Sequence, residues 1–147
     1  MPATTFSLSK SASERVSLRK LIWVGSLALA ISIAANQIIR LIALNVFNAS
    51  PQFPPLGVGQ INFFTVLGVV GATIVFAILA KFSSHPIAWY RRIAIGALFF
   101  SFIPDAGLLG PNPLPGTSLH SVGALVIMHI VTAAIVISLL TTQTREK

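Results

Sequence analysis

Six side chains able to do polar chemistry sit in or beside stretches that are otherwise apolar. Asn36, Gln37 and Arg40 lie in "NQIIR", Asp105 lies in "FIPDAG", and His120 and His129 bracket "HSVGALVIMH". Amides can bond across helices, an imidazole can bind a ligand or pass a proton, and the carboxylate and guanidinium carry fixed charge. The protein has three acidic residues, and Glu14 and Glu146 are near its ends, so Asp105 is the carboxylate available to this group. Arg40 and Asp105 are therefore expected to pair directly or through water, the alternative for Arg40 being to reach headgroup phosphates. Asn36 and Gln37 read as interhelical hydrogen-bonding residues, worth about 0.6 kcal/mol on average in measured cases. His129, next to Met128 and one turn from Thr132, reads as a buried imidazole bonded to a neighbouring helix, with ligand or proton relay as the alternative.

Other chemistry is excluded or unsupported. There are no cysteines, which removes disulfides, thiolate catalysis and iron-sulfur ligation. The histidines, at 85, 120 and 129, include no pair at i and i+4 and give no zinc signature. His85 lies in a basic connection and is expected to face water. No G-x-S-x-G, phosphate-binding glycine loop or carboxylate pair is present. Ser121, His120 and Asp105 can be assembled into a triad on paper, but nothing in the sequence fixes their geometry. We expect no enzyme, no catalytic residue, no metal and no cofactor.

The elements that position these groups follow from composition. In 147 residues, 54% are hydrophobic, 9% are charged and the mean hydropathy is +0.86, which is the composition of an integral membrane protein. Apolar runs at about 21–44, 61–80, 88–109 and 119–141 each approach the roughly 20 residues needed to cross a hydrocarbon layer. No alternating strands of barrel type appear, so the fold class is all-α: an antiparallel four-transmembrane-helix bundle in a single domain spanning 1–147. Outer loops are expected at about 45–60 and 110–118, with tails at 1–20 and 142–147.

Charge sets the orientation. Nine of the ten Lys and Arg residues (Lys10, Arg15, Arg19, Lys20, Lys81, Arg91, Arg92, Arg145 and Lys147) fall in segments that share one side after four crossings. The positive-inside rule makes that side cytoplasmic, giving N-in and C-in ends in a multi-pass protein of the inner (plasma) membrane. Trp23, Trp89 and Tyr90 mark the same boundary. The net charge of +7 is thereby explained without nucleic acid. A basic leader before "LIWVGSLALAISIAAN" also has the look of a signal peptide cleaved near Ala35, but the run continues through "IIRLIAL", so the first helix reads as a span. Residues 1–20 read as a flexible basic tail touching anionic headgroups. Counting rise from the cytoplasmic boundary puts Asn36 about 22 Å up, Arg40 about 28 Å up and Asp105 about 18 Å up; His129 lies about 13 Å below His120 at the outer boundary.

Local signals refine the arrangement. Gly25, Ala28, Ser32, Ala35 and Asn36 form a small and polar stripe on the first helix, and Gly68, Gly71, Ala72, Thr73 and Ala77 offer small residues on the second, so these two helices are expected to pack closely. In "KFSSHPIAWYRR", Ser84 is expected to cap the third helix with Pro86 in its first turn. Pro104 is expected to kink or stop that helix. "NVFNASPQFPPLGVGQ" holds three prolines and two glycines and is too apolar for a solvated linker, so it is expected to fold over the bundle mouth. Its Asn48-Ala49-Ser50 acceptor pattern is followed by Pro51 and is set aside.

The segments "HPIAWYRRIAIGALFFSFIPD" and "ALVIMHIVTAA" resemble small four-helix membrane proteins of bacteria grouped as a domain of unknown function. The shared elements are His85-Pro86, Arg91-Arg92, the Ser101 to Pro104 Ser-x-x-Pro, and Met128-His129 followed by small residues, within about 61–141. The resemblance implies a bacterial inner-membrane location and the same four-helix layout; it implies no activity. Two functions are compatible with the sequence. The first is a structural or accessory component of a membrane assembly, its partners being the bilayer and either a second copy or a larger complex. The alternative is a binding or transport module for a small molecule, lipid headgroup or proton, in which Asn36, Gln37, Arg40, Asp105, His120 and His129 line an outward-facing cavity.

Overall fold

Residues 16–145 are described by the structure, a computed structural model. Lys10, Glu14, Arg15, Glu146 and Lys147, with most of the basic tail, lie outside the described residues. The rest is helical: α1 (Leu18–Asn45), α2 (Val58–Phe82), α3 (Pro86–Gly107) and α4 (Leu119–Gln143), with a three-residue 3-10 turn at Pro54–Leu56. Among the described residues there is no strand, only an isolated bridge between Val16 and Arg145. All four helices are long and apolar enough to cross a membrane, which makes this a multi-pass membrane protein. Their outward faces are correspondingly apolar, with Phe63, Leu67, Phe99, Phe100 and Ile103 exposed.

Contacts between neighbouring helices run in opposite numerical order. Gly25 meets Thr73, Asn36 meets Thr65 and Gln37 meets Asn62 along α1 and α2. Arg91 meets Thr141 and Asp105 meets His129 along α3 and α4. The Ser17 amide donates to the Thr144 carbonyl at 3.0 Å, which brings the start of α1 to the end of α4. α1 packs chiefly on α2 and α4, and α3 packs on the same two, so α1 and α3 are diagonal.

The buried stripe of α1 is Leu21, Gly25, Ala28, Ser32, Asn36 and Ala43, at spacings that keep one helical face inward. Its small members matter because association in lipid depends on close packing rather than on excluding water. A Cβ on Gly25 would stand 3.0 Å from Thr73 Cγ2, so the two backbones are as near as a glycine permits. Two apolar clusters flank a polar middle layer. Leu21, Ala28, Val69, Phe76, Tyr90 and Leu140 fill the end near the termini. Ala43, Ala49, Phe53, Leu56, Val122, Leu125 and Met128 fill the other.

The segment between α1 and α2 is thus part of the core. Phe53 and Leu56 are almost fully buried, and the three-residue turn bends the chain back to begin α2. The loop before α4 locks onto it at Gly116, whose φ of +75° is a left-handed conformation suited to glycine. A Cβ there would come within 2.6 Å of Ser50 Oγ. Ser118 then caps α4 by accepting from the Ser121 amide at 3.1 Å.

Two local expectations about α3 are corrected. Its cap position is His85 rather than Ser84, because the chain turns one residue later: the His85 amide donates to Ser83 Oγ at 3.2 Å, and Pro86 is the first helical residue. Nor does α3 stop at Pro104. The helix runs on to Gly107, since the proline removes one bond only three residues from the end. Beyond it the chain winds down through amides of Leu108, Leu109 and Gly110, each donating to a carbonyl three residues back at 3.1 Å.

Candidate functional site

Small side chains on three helices leave a cavity of about 580 Å³ between α2, α3 and α4. α3 and its cap residue Leu108 supply one continuous stripe of its wall, Tyr90, Ala94, Ala97, Ser101, Asp105 and Leu108, spaced three or four residues apart. From Tyr90 to Leu108 that stripe is about 27 Å long at helical rise, so the cavity is a slot rather than a sphere. α2 faces it with Gly68 and Ala72, and α4 with Thr132, Ala133 and Val136. Lining residues Phe64, Leu67, Ala97 and Pro104 are also exposed, which places an opening at the side, between α2 and α3.

The small residues of α2 therefore serve two purposes. Thr73 receives Gly25 of α1, whereas a Cβ on Gly68 or Gly71 would meet nothing within 4 Å. Gly68 opens space where the sequence suggests close approach. The spacing of small residues is the same in both cases; what differs is the distance of the neighbouring helix.

At one end of the slot stand Asp105 and His129. Asp105 is 6% exposed, and its Oδ2 lies 3.1 Å from His129 Nδ1. That ring nitrogen also lies 2.9 Å from the Leu125 carbonyl oxygen. With a proton on Nδ1, the ring would share it between the Leu125 carbonyl and the Asp105 carboxylate. Asp105 Oδ2 is buried, with the His129 contact as its nearest donor and no well-directed hydrogen bond of its own. A buried acceptor left in this state carries a desolvation cost that a bound donor would remove.

The expected pairing of Arg40 with Asp105 is not what the structure contains. Arg40 Nε donates to the Leu56 carbonyl at 2.8 Å, closing the end of the 3-10 turn. The physical reason is the diagonal placement of α1 and α3, together with a free backbone acceptor in the intervening loop.

Asn36 sits in the polar middle layer at 4% exposure. Its amide nitrogen donates to Thr65 Oγ1 at 2.9 Å and to Thr132 Oγ1 at 3.1 Å, joining α1, α2 and α4 at one point. Asn36, Asp105 and His129 all line the slot. The other three candidates do not. Gln37 donates to Asn62 Oδ1 at 2.8 Å, Arg40 holds Leu56, and His120 lies beside Phe47 with ring centroids 6.3 Å apart. Thr65, Ser101 and Tyr90 join the site unannounced by charge; the signal for them is the small-residue stripe of α3 read as a wall. The Tyr90 hydroxyl, at the opposite end of the stripe, is also buried without a partner. Among the described residues no three metal-ligating side chains converge.

One family profile, described as a family of unknown function (DUF6069), matches residues 16–146 of this chain. No curated protein and no solved structure matches it.

Proposed function

We propose that this chain, which belongs to the DUF6069 family of unknown function, holds an elongated apolar molecule between its membrane helices. The observation that supports this is the slot itself. Its volume falls within the range of small-molecule sites, its walls are mainly apolar, and a few polar groups converge on one part of it. Burial of the ligand's body would come from Ala94, Ala97, Leu98 and Val136, and its orientation from the polar layer of Asn36, Thr65, Thr132 and Asp105. Side chains of this kind bind; we assign none a catalytic role.

The membrane setting is part of the proposal. The four helices form an antiparallel bundle with both termini in the cytoplasm, in the inner (plasma) membrane. Support comes from charge: among the described residues, Arg19, Lys20, Lys81, Arg91, Arg92 and Arg145 gather at the end where α1 begins and α4 finishes, while Arg40 alone is at the other. Arg92 over the Trp89 ring, 5.5 Å from its centroid, is suited to a headgroup boundary.

The test is extraction from native membrane in mild detergent, followed by mass spectrometry of whatever remains bound. The binding reading expects a stoichiometric small molecule in the wild type and its loss from Gly68→Leu, which fills the slot. A stoichiometric partner chain with no small molecule would instead favour an accessory subunit.

A further inference from the structure

The unsatisfied carboxylate oxygen says more about the ligand than the apolar wall does. We infer that the molecule held in the slot is a long-chain amine, its protonated nitrogen donating to Asp105 Oδ2. The inference rests on the binding reading above and adds the chemistry of the ligand's head. Three observations carry it.

First, Asp105 is more than nine-tenths buried and lines the slot, yet Oδ2 has no well-directed hydrogen bond. A carboxylate removed from water needs both hydrogen bonds and opposite charge. Second, the protein supplies one shared donor and no fixed cation there: His129 Nδ1, 3.1 Å from Oδ2, also lies 2.9 Å from the Leu125 carbonyl oxygen, and Arg40 is bonded to Leu56. Ser101 of α3 and Thr132 of α4, which also line the slot, hydrogen-bond to the Leu98 carbonyl and to Asn36 respectively. An ammonium group brings a donor and a positive charge together, and its contact with a carboxylate is of the stronger, charge-assisted kind.

Third, Asp105 is near one end of the α3 stripe, which runs about 16 Å from it back to Ala94 past Leu98 and Ala97. A head anchored at Asp105 would therefore trail an extended tail toward Tyr90.

The experiment uses the full chain in phosphatidylcholine nanodiscs, with empty nanodiscs as background. Radiolabelled dodecylamine, dodecanol and dodecane are titrated against wild type, Asp105→Asn, Asp105→Glu and Gly68→Leu. Folding of each variant is checked by its thermal transition. The expected result is dodecylamine binding at least tenfold tighter than dodecane to wild type, with the preference lost in Asp105→Asn and kept in Asp105→Glu. Equal binding of amine and alkane, or a preference that survives Asp105→Asn, overturns the inference and leaves the apolar slot standing. Dodecanol matching dodecylamine overturns the cationic head in favour of a neutral donor. Failure of all three probes to saturate the wild type removes the binding reading and this inference with it.

Discussion

His129 Nδ1 stands 3.1 Å from Asp105 Oδ2 and ties the end of α3 to the middle of α4. Arg40, the residue that charge counting nominates for that position, is bonded elsewhere. Two double-mutant cycles separate these geometries. Asp105→Ala and His129→Ala are expected to be non-additive in thermal stability by about 0.5–3 kcal/mol, the range for residues in contact. Asp105→Ala and Arg40→Ala are expected to add within about 0.5 kcal/mol. The measurement is thermal unfolding in detergent; coupling in the second cycle and not the first would reverse the assignment.

Asn36 joins three helices through two hydroxyls, so its removal should be felt more than that of either partner. Thr65→Val and Thr132→Val each delete one bond donated by Asn36, an interhelical loss of roughly 0.6 kcal/mol on the average measured for membrane proteins. Asn36→Ala deletes both and leaves a gap, for an expected loss of about 1–3 kcal/mol. Equal stability of Asn36→Ala and wild type would show that the layer contributes nothing to packing.

Much of this architecture is legible before any coordinates. Apolar run length predicts the helices, and the stripe of Gly25, Ala28, Ser32 and Asn36 is the buried face of α1. What escapes is whatever depends on which helices are neighbours. Arg40 and Asp105 look like obligatory partners when charges are counted, but counting does not reveal that α1 and α3 are diagonal or that a loop carbonyl is waiting at Leu56. The glycines of α2 pose the same difficulty: Gly68 and Gly25 have equivalent sequence surroundings, and only the distance to the next helix makes one a contact and the other a void. Pro104 misleads for a third reason, because the damage a proline does to a helix depends on how much helix follows it.

Filling the void should be tolerated. Gly68→Leu replaces the poorest helix former short of proline with a good one, and its Cβ would meet no atom within 4 Å, so its thermal transition is expected at or above that of wild type. Gly25→Leu, by contrast, meets Thr73 at 3.0 Å and is expected to cost about 1–3 kcal/mol through overpacking. Comparable losses for the two would mean that the slot is closed in solution.

Gly116→Ala tests the clasp between the two loops. The left-handed backbone alone costs an L-residue about 1–2 kcal/mol, and the new methyl would press on Ser50. Adding Ser50→Gly should recover only the part of the loss due to Ser50, because the new methyl would still stand 2.9 Å from the Phe53 backbone nitrogen. Full recovery in the thermal transition would indicate that the φ of +75° is dispensable.

That clasp also decides how the slot is reached. Phe53 and Leu56 stopper the loop end, held by Arg40 and by the fit of Gly116 against Ser50, while exposed Phe64, Leu67, Ala97 and Pro104 border a gap in the flank. A molecule arriving through that flank comes out of the bilayer, so occupancy follows its mole fraction in lipid rather than its aqueous concentration. Two compounds with identical heads can then differ in apparent potency by their partitioning alone, and doses that look unequal in the buffer can be equal where the protein meets them.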